Sequence, residues 1–136
     1  MIIAEEFSSW SKNLKVKDIP EKTKLTLQFL LKDICGIILS ARNENYVKSL
    51  VETYKGSGNL ISLGNSERFD LFSSAIIAGT AAHGEDFDDT FEGNPMHVGA
   101  TMIPAMLSAA QKFNLNGDQI LKGLAVGSEL ICRLAL

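Results

Sequence analysis

The apolar residues of this chain return every third or fourth position along most of its length, and that periodicity breaks down over one sixteen-residue stretch. A 3.6-residue period buries one face of a helix and cannot line one face of a strand. Leu27, Leu30, Leu31, Ile34 and Ile38 form one such stripe after Pro20, which suits the first turn of a helix. Tyr46, Val47, Leu50, Val51 and Tyr54 form a second. A third is read through Phe69, Phe72, Ile76 and Thr80, capped by Asn65 or Ser66 and ending near Ala82. A fourth runs through Ile103, Met106, Leu107 and Ala110, with Thr101 as its N-cap and Pro104 in its first turn. Asn114 to Gly117 is a turn, and the last helix carries Ile120, Leu121, Leu124, Ser128, Ile131 and Leu134. The glycine-bounded segment 59–63 is the one place for a strand. The fold class expected is therefore all-α, with at most one short strand.

Length and composition place further bounds. At 136 residues the chain suits one domain, 1–136, with a hydrophobic core. A 46% apolar and 21% charged composition is ordinary for a globular protein, and no apolar run is long enough for a membrane span. A net charge of −3 argues against a nucleic-acid partner. Met1 to Phe7 has no basic segment and meets Glu5 and Glu6 early, so a cytoplasmic protein without a secretory leader is expected. Cys35 and Cys132 lie far apart within helical patterns and read as reduced, packed thiols. Ala75, Ala78, Gly79, Ala81 and Ala82, with Ala105, Ala109 and Ala110, allow helices to approach closely. The last residues, Ile131 to Leu136, remain apolar and periodic without a stop signal. They point to a piece of something longer, or to an end buried in an assembly.

The aperiodic stretch, Gly84 to Gly99, is where chemistry is expected. With His83 it holds both histidines, and Glu85, Asp86, Asp88, Asp89 and Glu92 fall within eight positions. From Phe69 to Gln111 there is no Lys or Arg, so these acids are either solvated or met by cations from elsewhere. If the segment around Asp86 is a helical turn, Asp86 and Thr90 share a face at i and i+4. His97 precedes a helix N-terminus, which favours an anionic ligand, and Gly99 would let that backbone approach it. A carboxylate beside an imidazole supplies general acid–base catalysis. Simpler roles compete at several positions. Asp88 and Asp89 read as loop-capping or solvated residues, His83 as a helix C-cap, and Glu129 with Arg133 as an i, i+4 ion pair.

Other motifs fit less well. Asp86-Phe87-Asp88-Asp89-Thr90 matches the D-x-D-x-T nucleophile pattern of haloacid-dehalogenase-type phosphatases, which should follow a buried strand; here a helical pattern precedes it. The acidic Asp88–Glu92 run is a weak echo of a terpene-synthase magnesium motif, with no second motif to accompany it. His83 with Asp86 and Asp88 is by itself a poor signal for a metal site.

His83-Gly84-Glu85-Asp86-Phe87-Asp88-Asp89-Thr90, then Met96-His97, Ile103-Pro104-Ala105-Met106-Leu107, Gly117-Asp118-Gln119-Ile120-Leu121, Gly127-Ser128-Glu129 and Arg133, resembles the MmgE/PrpD family, in order, from about Ser66 to Leu134. The family includes 2-methylcitrate dehydratases and cis-aconitate decarboxylases. The resemblance implies the N-terminal part of a large all-α domain whose smaller α+β lid is absent here. It further implies a homodimer, a small polycarboxylate substrate, and neither a metal nor another cofactor. Asp86, Thr90 and His97 then fall on the family's active-site aspartate, threonine and histidine. Asp86 and His97 are implied in proton transfer and substrate positioning, and Thr90 in a hydrogen bond to a substrate carboxylate. Val98 departs from the proline that many members place after the histidine. The family's remaining catalytic lysine and histidine lie beyond Leu136, so this chain alone is expected to have negligible lyase activity. The rival expectation is a non-catalytic helical interaction module, a degenerate family member.

Overall fold

The computed structural model describes residues 2–136. Among them the chain forms six α-helices: α1 (Ile3–Asn13), α2 (Glu21–Ala41), α3 (Asn45–Tyr54), α4 (Leu71–His83), α5 (Val98–Phe113) and α6 (Gly117–Leu134). A single 3-10 turn, Val16–Asp18, joins α1 to the chain leading into α2. No strand forms among the described residues, and the proposed strand near 59–63 reduces to one antiparallel bridge between Leu60 and Phe69. The protein is all-α. Among the described residues no helix is long and apolar enough to cross a membrane. The leader reading rests partly on Met1, which lies outside the described residues.

The core is a set of aliphatic side chains drawn from every helix after α1. Ile34 and Ile38 of α2, Val47 of α3, Ile77 of α4 and Ile103 of α5 are almost wholly removed from solvent, and Leu124 of α6 joins them. Burying each such side chain contributes roughly 1.5–3 kcal/mol. The stripes expected on α2 and α3 are the ones that turn inward. Both cysteines are free thiols and half-buried, and burial pushes the thiol of each upward in pKa.

The third stripe is corrected by the structure. Phe69 is buried, but it lies before the helix, in the bridge to Leu60. Phe72 is 76% exposed and Ile76 47%. The face of α4 that packs is Ser73, Ser74, Ile77, Ala78, Ala81 and Ala82. This helix is apolar on nearly every side, so hydrophobicity alone does not select a face. The residues that pack are mostly small, with Ile77 among them, and α5 is the neighbour against which α4 packs most extensively, while Phe72 and Ile76 face outward. Two buried hydroxyls tie the pair together: Ser108 donates to Ser74 at 3.0 Å, and Ser74 donates to the Ile61 carbonyl at 2.8 Å.

Helix starts also differ from expectation. Pro20 is the N-cap of α2 rather than a first-turn residue. Neither Asn65 nor Ser66 caps α4; Asn65 closes a turn on the Ser62 carbonyl, and residues through Phe69 serve the bridge. The cap is Asp70, whose carboxylate accepts the N–H groups of Phe72 at 2.8 Å and Ser73 at 3.0 Å, and the Ser73 hydroxyl at 2.7 Å. Thr101 is not a cap either. α5 begins one turn earlier with His97 at its N-cap position, and the Thr101 hydroxyl donates back to the His97 carbonyl at 2.7 Å. Pro104 therefore lies inside α5, where it removes the bond that would reach the Ala100 carbonyl.

The bonds from Ser73, backbone and hydroxyl, hold the Asp70 carboxyl down at about 2. Its folded value lies below the unfolded one of about 3.9. Its stabilising contribution is thus complete above pH 4 and lost as pH falls toward 2. In urea melts at pH 4.5 and 2.5, wild type is expected to lose more stability across that interval than Asp70→Asn, which keeps a capping oxygen that does not titrate. Parallel losses in the two proteins would remove Asp70 from the acid response.

Candidate active site

The connector between α4 and α5 is assembled from its acids. Asp89 fixes one end: its Oδ1 accepts the Gly99 N–H at 2.8 Å, in the first turn of α5. That bond supplies the cap His97 does not, because no side-chain capping bond comes from the N-cap residue itself. Gly99 is required here by close approach. A Cβ at this position would lie 2.4 Å from Asp89 Oδ1 and 2.7 Å from Ile34 Cγ1. The glycine thus admits the protein's own carboxylate, and the expectation that it opens the helix end to a ligand is not what the structure has. The reading of Asp89 as a capping residue holds.

At the other end Glu85 accepts the Tyr46 hydroxyl at 2.8 Å. Tyr46 lies so close to the backbone of Gly84 that a Cβ there would lie 2.5 Å from its ring. Burial, then the Glu85 contact, pushes the phenol up to about 12. The middle of the connector is pinned by Phe91, which donates from its N–H to the Met96 carbonyl at 2.9 Å. Asn94 reaches across to α6 and donates to the Ala135 carbonyl at 2.6 Å.

Between these anchors lie both histidines and two acids. Asp86 has a left-handed backbone, φ 57°, so the segment is no helical turn and the i, i+4 pairing of Asp86 with Thr90 does not form. Asp86 is instead turned toward His97, with Oδ1 3.9 Å from Nε2. Thr90 is exposed, and its hydroxyl makes no hydrogen bond among the described residues. Of the three expected site residues, Asp86 and His97 come within 3.9 Å of each other, and Thr90 hydrogen-bonds to neither.

Asp88 is the residue that sequence reasoning missed. It is a solvated or capping residue in expectation, yet its side chain is wholly buried. His83 Nδ1 lies 3.0 and 3.2 Å from its two carboxylate oxygens, and His97 Nδ1 lies 3.0 Å from Oδ2. The second contact is short but badly aligned, which leaves His97 Nδ1 buried without a well-formed hydrogen bond. The two rings meet edge to face with centroids 4.6 Å apart. His83 ends α4 as expected, but its ring is engaged by Asp88. The available signal was charge accounting: with no Lys or Arg nearby, the two histidines are the local cationic candidates for a buried carboxylate. The expected Glu129–Arg133 pair is present, with Nε 2.6 Å from Oε1.

A hollow of about 230 Å³ opens beside the rings, lined by His83, Pro95, Met96, His97, Ala100 and Thr101. A larger one, about 570 Å³, lies toward α2 and is lined by Lys32, Asp33, Glu44, Glu85 and Phe87 among others. Three acids against one lysine make it a poor receptacle for an anion, whatever its size. His83, Asp86, Asp88 and His97 each offer one donor atom within 4.8 Å of the rest, a set that a divalent cation could use. The Asp88–His83 hydrogen bond already engages two of those donors.

Comparison with known proteins decides the family. The MmgE/PrpD N-terminal domain matches residues 5–136. The chain belongs to the MmgE/PrpD family. Among curated proteins it is similar to the cis-aconitate decarboxylase-like protein oryM of Aspergillus oryzae, at 27% identity over 138 aligned positions. That alignment takes in 93% of this chain and 28% of the relative, so the chain spans less than a third of the protein it matches. In this MmgE/PrpD chain the connector carries the densest part of the motif that suggested the family.

If Gly99 is needed for the approach of Asp89, Gly99→Ala should lower stability by about 1–3 kcal/mol, the usual range for overpacking, read as a shift in the urea midpoint. An unchanged midpoint would show that α5 tolerates a side chain there.

Proposed function

We propose that this chain is the N-terminal part, as a single incomplete helical domain 1–136, of a cofactor-independent lyase. It acts by acid–base catalysis on a small polycarboxylate, in the manner of a 2-methylcitrate dehydratase or a cis-aconitate decarboxylase. The observation that carries this reading is the approach of Asp86 Oδ1 to His97 Nε2 at 3.9 Å beside an open hollow. At that spacing both groups can reach one substrate lying beside them in the hollow. One member of the pair takes a proton next to a carboxylate. The other delivers a proton to a departing hydroxyl, or to the carbanion left by loss of carbon dioxide. Thr90 extends the site outward, where its free hydroxyl can donate to a substrate carboxylate.

Charge supports the division of labour. The stretch from Phe69 to Gln111 has no Lys or Arg, so the cations that hold a polycarboxylate come from outside this stretch. We further place the intact protein in the cytoplasm as a homodimer, in keeping with the family.

The test is turnover by the intact gene product on 2-methylcitrate and on cis-aconitate, followed by release of water or carbon dioxide. His97→Ala is expected to lower kcat by about 10²–10⁴-fold, the usual contribution of a positioned acid–base group. Undiminished turnover in that variant would exclude His97 from the chemistry. Absence of turnover in the intact wild type on any small polycarboxylate would favour a non-catalytic helical module.

A further inference from the structure

His83 and His97 are the two histidines of the chain, and a single carboxylate with no exposed surface lies between them. We propose that Asp88 is the positioning residue of this site: it holds the Nδ1–H of both imidazoles and presents each ring to the hollow with Nε2 free. The role rests on the reading of His97 as a proton-transfer group, while the claim about the rings stands on geometry alone.

Three observations carry it. Among the described residues, the ring nitrogens of His83 and His97 are the only basic side-chain groups within 4 Å of Asp88; no Lys or Arg reaches it. A buried carboxylate with no donor would be costly, so these contacts are what keep it in place. An ionised carboxylate can only accept, so a nitrogen hydrogen-bonded to it carries the proton, and in a neutral ring the other nitrogen carries the lone pair. Both rings line the same hollow, and His97 Nε2 is the atom that faces Asp86.

The two contacts are not equal. His83 meets both oxygens of Asp88. His97 Nδ1 is buried at 3.0 Å from one oxygen but out of line with it. A small ring rotation would align that N–H, and it would also bring Nε2 to a new angle against Asp86. Catalytic hydrogen bonds are often loose until substrate is bound. His83 thereby becomes a second imidazole of the site, held to the same carboxylate and edge-on to the first.

The test reads ring tautomers directly, from side-chain ¹⁵N shifts of the two histidines in this chain at a pH where the rings are neutral. Wild type is expected to show the Nδ1–H form at both. Asp88→Asn, checked for folding by circular dichroism, should shift His97 toward a mixture of tautomers. His83→Gln removes one ring and leaves the carboxylate, so it should keep the Nδ1–H form at His97; this variant preserves the test if Asp88→Asn does not fold. In the intact gene product Asp88→Asn should lower kcat by roughly 10²-fold or more with KM within about twofold. An unchanged tautomer at His97 in folded Asp88→Asn would overturn the proposal. So would loss of the Nδ1–H form in His83→Gln, or saturable broadening of both ring signals by micromolar Zn²⁺, which would make the four donors a metal site. A tautomer shift with undiminished kcat would leave Asp88 as the ring clamp and overturn the acid–base reading of His97.

Discussion

A run of acids that brings no Lys or Arg of its own must find other donors, and that requirement shapes the connector between α4 and α5. Glu85 takes a phenol, Asp88 takes imidazole, and Asp89 takes a backbone N–H at the start of a helix. Asp86 is turned toward the remaining ring nitrogen. Each of these donors sits on a different part of the scaffold: α3, the end of α4 and the beginning of α5. Satisfying the carboxylates therefore fixes the connector to three helices at once. The same arrangement brings the two imidazoles together.

The helices serve that end through size rather than through a simple apolar stripe. Small residues on α4 let it lie close to α5, and closeness is what allows His83 and His97, at the facing ends of the two helices, to share one carboxylate. Gly99 extends the same logic to the connector, since the space of one methyl group is what admits Asp89. Left-handed backbone at Asp86 costs on the order of 1 kcal/mol or more. It is held by a turn in which Asp86 donates to the His83 carbonyl at 3.0 Å, and it points the carboxylate back toward His97.

Much of this was legible in the residues. The helical period located α2, α3 and α6 closely, and the loss of period marked the connector. It misjudged α4, because a helix apolar on all sides has no preferred face until its neighbour is known. It misplaced the start of α5, because the cap comes from Asp89, ten residues away from the N–H it accepts, and no local pattern encodes that bond. Asp86 and His97 lie 3.9 Å apart, whereas the pairing of Asp86 with Thr90 assumes helical spacing where the backbone is left-handed. Asp88 was passed over because burial of a carboxylate within an acidic run runs against composition. Only the positions of the two histidines make it affordable.

The most direct measurement is the ring-proton nuclear Overhauser effect between the two histidines in solution. With two histidines in the chain, the His83→Gln variant leaves one set of ring signals and so assigns both. Rings whose centroids lie 4.6 Å apart should give a strong cross-peak. Its absence in the folded chain, with both ring signals sharp and assigned, would mean that the connector does not bring the imidazoles together.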